Sequence, residues 1–220
     1  MNKKELKKLI LEENEHRIME YYDSEESKEK RIKVADTLID FLSSKNDQFR
    51  VDIISFFGGG GFSYGKLVGE SFEVYERIML NKKKILNVMI ELLNHSNPKI
   101  RERVVEQIAY FEDGDGNYYF LEQCRARIFE LLTDQSLAVQ KEAGLSVLCL
   151  AVMMQKKGEY EDYLEILAFL HQNETIFSYA INWGKFKDLI IPILNEIKEG
   201  NDIPLREEAA KMLENVLNVI

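Results

Sequence analysis

The chain has 220 residues, of which 45% are apolar and 30% charged, and it carries a formal net charge of −9. This composition is ordinary for a folded globular protein, and the length suffices for a sizeable core, so a disordered or fibrous chain is excluded. Three of the first six residues are charged, which is too many for the apolar core of a signal peptide, and we expect a cytoplasmic protein.

Apolar residues recur at helical spacing along most of the chain, which predicts an all-α fold. The predicted helices cover residues 3–21, 25–44, 70–80, 82–94, 98–111, 118–132, 136–155, 159–172, 185–199 and 203–220. Between two of them, residues 174–183 are interpreted as a short aromatic connection. The most apolar stretch, Ala143 to Met154, is too short to span a bilayer and fits a central buried helix, so no membrane contact is expected.

One short phrase recurs in the second half of the chain. It consists of an aliphatic residue, Arg or Gln, two mostly charged residues, and a small or aliphatic residue. The phrase occupies Ile100–Val104, Val139–Ala143 and Leu205–Ala209, each time just after helix-breaking residues, and a degenerate copy covers 49–54. Repetition of a paired-helix unit at this interval predicts a helical solenoid.

The repeated segments resemble the second helix of a HEAT repeat. In that family an Asp or Asn caps the second helix, an Arg ties repeats together through acids of the turn, and a small residue lets helices approach closely. The matching positions are Asn97, Asp134 and Asp202 for the cap, Arg101 and Arg206 for the Arg, and Ala143 and Ala209 for the small residue, while Gln140 and Val104 depart from the pattern.

This resemblance implies an α-α superhelix of about nine or ten antiparallel helices with HEAT-like pairs. The whole chain, 1–220, is expected to form a single domain. Residues 1–80 are a divergent N-terminal part that includes a glycine-rich loop, and 81–220 hold the clearer repeats.

The glycine-rich loop has no HEAT counterpart. Its residues Gly60–Lys66 resemble a phosphate-binding loop, in which backbone N–H groups surround phosphates. Leu67 stands where Ser or Thr has to hold magnesium, so nucleotide binding is not expected. A long loop of this kind often acts as a flap beside a binding groove, with Phe62 and Tyr64 as candidate contact residues; an inert loop is the alternative.

Two other patterns suggest metal binding at first sight. Asp113, Asp115 and Asn117 mimic the first three ligands of a calcium loop, but Tyr118 replaces the required Gly and Cys124 the required Glu. The three histidines stand far apart, and the two cysteines do not form a Cys-x-x-Cys pair. No metal, cofactor or catalytic residue is therefore predicted.

The acidic charge is concentrated towards the C-terminus. Residues 159–220 hold five basic and twelve acidic groups, a net charge of −7. This charge repels phosphates and suits a basic protein partner, although simple solubility is the plain alternative. Tyr179 and Trp183 are candidates for exposed aromatic anchors, unless they pack into the core. Together with Glu207 and Glu208 they form the predicted partner-binding set.

The leading hypothesis is a non-catalytic protein-interaction module that grips a basic partner on a concave face, for instance an immunity or inhibitor protein that blocks a basic toxin. The competing hypothesis is a DNA-interacting enzyme similar to the HEAT-like alkylpurine glycosylases, which the acidic balance disfavours. That hypothesis requires a basic stripe, for which the candidates are Lys82, Lys83, Lys84, Lys99, Arg101, Arg103, Arg125 and Arg127. The sequence predicts neither the identity of the partner nor the oligomeric state.

Overall fold

The structure, a computed structural model, describes residues 3–12, 28–58, 72–109, 119–184 and 186–219. All regular secondary structure within these ranges is α-helical. The thirteen helices are α1 (Lys3–Leu11), α2 (Lys28–Phe41), α3 (Asp47–Gly58), α4 (Phe72–Leu80), α5 (Lys82–Leu93), α6 (Pro98–Ile108), α7 (Tyr119–Gln123), α8 (Arg125–Leu131), α9 (Leu137–Lys156), α10 (Tyr160–His171), α11 (Glu174–Asn182), α12 (Phe186–Glu199) and α13 (Ile203–Asn218).

The predicted all-α class is confirmed, and the helix count in the described residues is higher than nine or ten for three reasons. The degenerate phrase is a full helix, α3, and the predicted aromatic connection is also a helix, α11. The segment predicted as one helix, 118–132, is divided at Cys124 into α7 and α8. The predicted helix over 3–21 is described as far as Leu11.

The chain forms two compact units, Met1–Cys124 and Arg125–Ile220. In the first unit, α3 packs against α5 and α6, α1 lies against α3, and α4 lies against α2. Its core includes several fully buried residues on these helices, among them Leu38, Phe49, Ile53, Ile85 and Val104. The expected single domain and superhelix stay predictions.

The second unit is built around α9. This helix packs against α8, α10 and α11, and twelve of its residues are buried. By length and composition α9 is also apolar enough to cross a membrane, but 67% of its most apolar window is buried inside the fold, as expected for a core helix. With 20 residues, α9 extends beyond both ends of the apolar stretch Ala143 to Met154. On the other side of the unit, α13 packs against α12 and α10.

The repeated phrase begins four helices at the same register. The residue four positions before the Arg or Gln is the N-cap, and the four N-cap residues are Asn46, Asn97, Ser136 and Asp202. Asn46 Oδ1 accepts from Phe49 N–H, and Asp202 Oδ1 accepts from Leu205 N–H. Such caps satisfy backbone donors that lack partners in the first helical turn.

The cap predicted at Asp134 is wrong by two residues. Its carboxylate accepts from the backbone N–H of Ser136, and the helix begins only at Leu137. Asp134 therefore stabilises the turn before α9, and its short side chain bonds to a backbone group two residues further on, as Asp commonly does in turns.

The Arg or Gln of the phrase closes the turn that precedes its own helix. Arg101 Nη1 donates to the carbonyls of His95 and Ser96, and Arg206 Nε donates to the carbonyl of Lys198. Gln140 departs from the HEAT pattern, but its amide makes the equivalent bond to the carbonyl of Asp134. These bonds satisfy carbonyls at the end of one helix of a pair from the start of the next. The predicted pairing of helices across these turns is thus confirmed, and the paired helices also pack against each other.

Close packing in the second unit depends on Gly144. A Cβ atom at this position would overlap Cγ2 of Ile176 on α11 and would lie 3.7 Å from Cδ1 of Leu170 and 3.8 Å from Cβ of Ala180. Both Ala143 and Gly144 are buried, so α9 approaches its neighbours through a small-residue face. Because Ile176 is itself fully buried, it has little room to move away.

We expect Gly144→Ala to lower the free energy of unfolding, measured by urea denaturation. Overpacking costs about 1–3 kcal/mol, which outweighs a gain of at most about 1 kcal/mol in helix propensity. Ala143→Leu should be destabilising by about 1–3 kcal/mol for the same reason. Ala126→Leu, on the exposed side of α8, is the matched control and should change stability by no more than about 0.5 kcal/mol. Unchanged stability of both α9 variants would contradict this packing.

Candidate partner-binding surfaces

An ion-pair network joins α3 to α5 in the first unit. Arg50, whose side chain is only 7% exposed, donates through Nη1 to Asp47 Oδ1 at 2.8 Å. It also binds Glu91 in a bidentate manner, with Nη1 to Oε1 at 3.0 Å and Nη2 to Oε2 at 2.6 Å. The hydrogen bond and charge of Glu91 raise the pKa of Arg50, and Arg50 in turn lowers the pKa of Glu91 below its ordinary value of 4.5.

His95 extends this network into the next turn. Its Nδ1 accepts the backbone N–H of Asn97, so the ring proton belongs on Nε2, which lies 3.1 Å from Asp47 Oδ2. Among the Arg and Gln residues of the four copies, Arg50 is therefore the one whose side chain binds a side chain of the following helix pair. The two positions matched to the HEAT Arg, Arg101 and Arg206, donate to backbone carbonyls, whereas Arg50 joins two helices through Asp47 and Glu91.

A cleft of about 800 Å³ lies beside the network. It is bounded by the end of α2, the turn that follows it, the first turns of α3, and one face of α5. The lining residues are Leu42, Ser43, Ser44, Lys45, Asp47, Arg50, Lys84, Asn87, Val88 and Glu91. The cleft is not evident from the sequence, because Arg50 and Glu91 are 41 residues apart.

A second, smaller cleft of about 330 Å³ lies in the second unit. Gly158 has φ 78° and ends α9, with Glu159 N–H bonded to the carbonyl of Met154 and Gly158 N–H to that of Gln155. This is the hydrogen-bond pattern by which glycine reverses the chain after a helix. The reversal places Glu161 and Asp162 in the first turn of α10.

The smaller cleft is acidic with an apolar contribution from α13. It is lined by Gly158, Glu159, Tyr160, Glu161, Asp162 and Leu205. Its three carboxylate side chains are exposed, and within the described part of the chain none of them forms an ion pair. Glu161 and Asp162 are also favourable at the positive end of the helix dipole of α10. Lys156 and Lys157, at the end of α9, are the nearest cations along the sequence.

The structure separates the predicted partner-binding residues. Glu207 and Glu208 lie exposed in the early part of α13. Glu208 follows Leu205 by three residues and lies on its side of the helix, whereas Glu207 lies about 200° around the helix from Leu205. Trp183 ends α11 beside the opposite end of α13, because Asn182 Nδ2 donates to the carbonyl of Val219 at 3.4 Å.

The two predicted aromatic anchors differ in exposure. The Trp183 side chain is 40% exposed and lies 6.0 Å from the Phe186 ring, measured between ring centroids. Tyr179 is half-buried instead. Its hydroxyl lies 3.4 Å from Glu142 Oε1, and Lys141 Nζ lies 4.8 Å from its ring centroid. Tyr179 thus packs α11 against α9, so only Trp183 has the exposure predicted for both.

Several candidate residues lie outside the described residues. These are Phe62 and Tyr64, the phosphate-loop-like segment with Lys66 and Leu67, and the calcium-like turn from Asp113 to Tyr118. Cys124 is buried, and burial raises the pKa of its thiol to about 12. No group of His, Cys, Asp and Glu side chains in the described ranges has the arrangement of a metal site.

Most cations of the proposed basic stripe have internal partners. Lys82 lies over the Tyr119 ring, 4.5 Å from its centroid, and Arg103 donates to Glu106 at 2.8 Å. Arg127 donates to Glu130 at 2.8 Å, and the guanidinium of Arg125 lies 5.7 Å from the Phe129 ring centroid. Cations engaged in this way are less available for phosphate contacts.

No protein-family model matches the chain, and no curated protein matches it. Among solved structures, an engineered protein of the Northeast Structural Genomics Consortium is 16% identical with a TM-score of 0.46, covering 100% of this chain and 98% of that chain. A designed armadillo repeat protein in complex with the peptide (KR)4 is 14% identical, with a TM-score of 0.48 and coverage of 96% and 98%.

A computationally designed armadillo repeat protein for modular peptide recognition is likewise 14% identical, with a TM-score of 0.46 and coverage of 96% and 98%.

We expect the Arg50–Glu91 pair to couple α3 to α5 measurably. In a double-mutant cycle with Arg50→Met and Glu91→Gln, the coupling free energy should be about 1 kcal/mol, since Arg50 is buried but Glu91 is 66% exposed and therefore well solvated. Arg50→Lys should recover little of it, because an ammonium cannot make the bidentate bond. The matched cycle uses Arg103 and Glu106, where the Arg side chain is 45% exposed, and an equal coupling there would contradict the special role of Arg50.

The lowered pKa of Glu91 sets the direction of a pH effect. A carboxylate whose pKa is lower in the folded than in the unfolded state stabilises the fold above its ordinary value of 4.5, and this contribution disappears as the pH falls through the folded pKa. The stability difference between the wild type and Glu91→Gln should therefore shrink between neutral pH and about pH 3. Glu196→Gln is the exposed control, and a difference that stays constant for Glu91→Gln would refute the prediction.

Proposed function

We propose that this protein is a non-catalytic protein-binding module whose second unit binds a basic segment of a partner. The acidic cleft formed by the start of α10 and Leu205 of α13 carries the proposal. Its carboxylates are exposed and unpaired within the described ranges, so their full charge is available to a cationic ligand.

The chemistry of the cleft suits a Lys or Arg side chain. The aliphatic stem of such a residue covers apolar surface while its charged head stays among polar groups. Leu205 and the half-buried Tyr160 supply that apolar surface, and Glu159, Glu161 and Asp162 surround it. Glu208, on the same side of α13 as Leu205, adds a further carboxylate for the next basic residue of the partner.

Trp183 serves as a second, separate contact. The backbone rise of 1.5 Å per residue puts Leu205 and Val219, which neighbours Trp183 through Asn182, about 21 Å apart along α13. A partner that engages both the acidic cleft and Trp183 therefore has to be a folded surface or an extended segment of at least that length. A basic toxin held by an immunity or inhibitor protein is a partner of this kind.

The division of roles between these contacts follows from their chemistry. Exposed carboxylates mainly accelerate association and make it depend on salt, because their attraction acts at a distance and is screened by ions. A packed aromatic anchor mainly slows dissociation.

The proposal is tested with a fluorescently labelled four-residue peptide of Lys and Arg, too short to span about 21 Å, titrated with the full chain at two salt concentrations. Glu161→Lys with Asp162→Lys should weaken binding about tenfold and flatten its salt dependence. The matched control, Glu196→Lys with Glu214→Lys, makes the same change in net charge on α12 and α13 away from the cleft, and should have a much smaller effect.

Glu208→Lys should weaken binding more than Glu207→Lys, because only Glu208 shares the side of Leu205. Trp183→Ala should leave binding of the short peptide unchanged. An equal loss of peptide affinity in the cleft variant and the control would mean that the peptide responds to overall charge alone. The proposed site would then be wrong.

A further inference from the structure

The cleft beside Arg50 in the first unit has a charge arrangement that the proposed function leaves unused. All four carboxylate oxygens of Asp47 and Glu91 already have cationic or histidine partners. Asp47 Oδ1 and both Glu91 oxygens are bound by Arg50, and Asp47 Oδ2 by His95. Every oxygen of these two acids is thus hydrogen-bonded from inside the protein, and with Arg50 the group keeps a net charge of only −1, so it offers little to a cationic ligand.

The lysines of the same cleft, in contrast to its acids, have no partner among the described residues. Lys45 lies exposed in the turn between α2 and α3, and Lys84 lies half-buried in the first turn of α5. Within the described ranges neither side chain forms an ion pair or a hydrogen bond. Two ammonium groups on different elements therefore line one cleft with all their donors available to a ligand.

The remaining lining favours a peptide as the ligand. Leu42 and Val88 are buried at the base of the cleft, and Ser43 and Asn87 are exposed polar groups at the rim that can bond a peptide backbone. The volume of about 800 Å³ accommodates several side chains. Arg50 is held rigidly by its bidentate bond, so the wall that it forms is organised before a ligand arrives.

We propose that this cleft binds an acidic peptide segment, whose carboxylates pair with Lys45 and Lys84. This site is independent of the acidic cleft of the second unit and has the opposite charge preference. It also acts against the net charge of −9, so binding of an acidic peptide cannot be explained by attraction to the protein as a whole.

The experiment measures the fluorescence anisotropy of a labelled peptide with the central sequence Leu-Glu-Glu-Leu on addition of the full chain. The control peptide has Leu-Gln-Gln-Leu at the centre. Lys45→Gln with Lys84→Gln should weaken binding of the acidic peptide about tenfold, as expected for loss of two charge-assisted contacts. The control variant Lys99→Gln with Lys211→Gln, which alters net charge equally at exposed sites outside the cleft, should bind within about twofold of the wild type.

Three outcomes overturn the proposal. One is equal binding of the two peptides, and another is an equal loss in the two variants. The third is displacement of the peptide by inorganic phosphate at similar concentration, which would show that the cleft holds small anions and does not recognise a peptide. The wild type and the two variants should have the same circular dichroism spectrum, because every substituted lysine is exposed or half-buried.

Discussion

In every helix pair of the repeat, the backbone groups at one short turn need hydrogen-bond partners from within the protein. The last carbonyls of one helix and the first N–H groups of the next have no partner within their own helices. Asn46, Asn97 and Asp202 cap their helices through side-chain hydrogen bonds, whereas Ser136 makes none. In three of the four copies the Arg or Gln reaches back to carbonyls before its own helix. A side-chain cap contributes about 1 kcal/mol, so burial of the apolar faces provides most of the stability, while the turns fix the angle at which those faces meet.

Arg50 shows how one position of the phrase acquires a second role. In the other copies this side chain donates to carbonyls of the preceding helix end or turn, whereas Arg50 spans from Asp47 to Glu91 of the following pair. An ion pair at a partly buried place is a weak source of stability, because desolvation offsets much of the attraction. Its clearest consequence is geometric, since it holds one wall of a cleft and leaves Lys45 and Lys84 as the unengaged charges there.

The sequence predicted those features that depend on neighbouring residues. Helical spacing and breakers located most helices, and the phrase located the repeat turns. The error at Asp134 arose because two polar residues, Asp134 and Ser136, both suit a cap, and only the backbone shows where the helix begins. Helix α11 was missed although Asn173 and Glu174 are a common helix start, and its buried residues Ile176, Phe177, Ala180 and Ile181 have helical spacing.

The candidate sites were harder to predict because they combine residues from distant parts of the chain. The acidity of the last third was evident from composition, but the position of its cleft depends on how Leu205 meets the start of α10. Tyr179 and Trp183 look equivalent in sequence, four residues apart on one helix. Their exposure differs because Tyr179 faces Lys141 and Glu142 of α9, while Trp183 lies at the helix end.

Net charge alone is therefore a poor guide to what each unit binds. In the first unit the acids of the cleft are paired internally and its lysines are not, so the local preference is for an anion despite the acidic composition of the chain. In the second unit the carboxylates at the start of α10 are the unpaired groups within the described ranges, which is why the ligand proposed there is a cation. What decides recognition at each cleft is which charges remain after the protein has satisfied its own ion pairs, because only these gain a partner when a ligand binds.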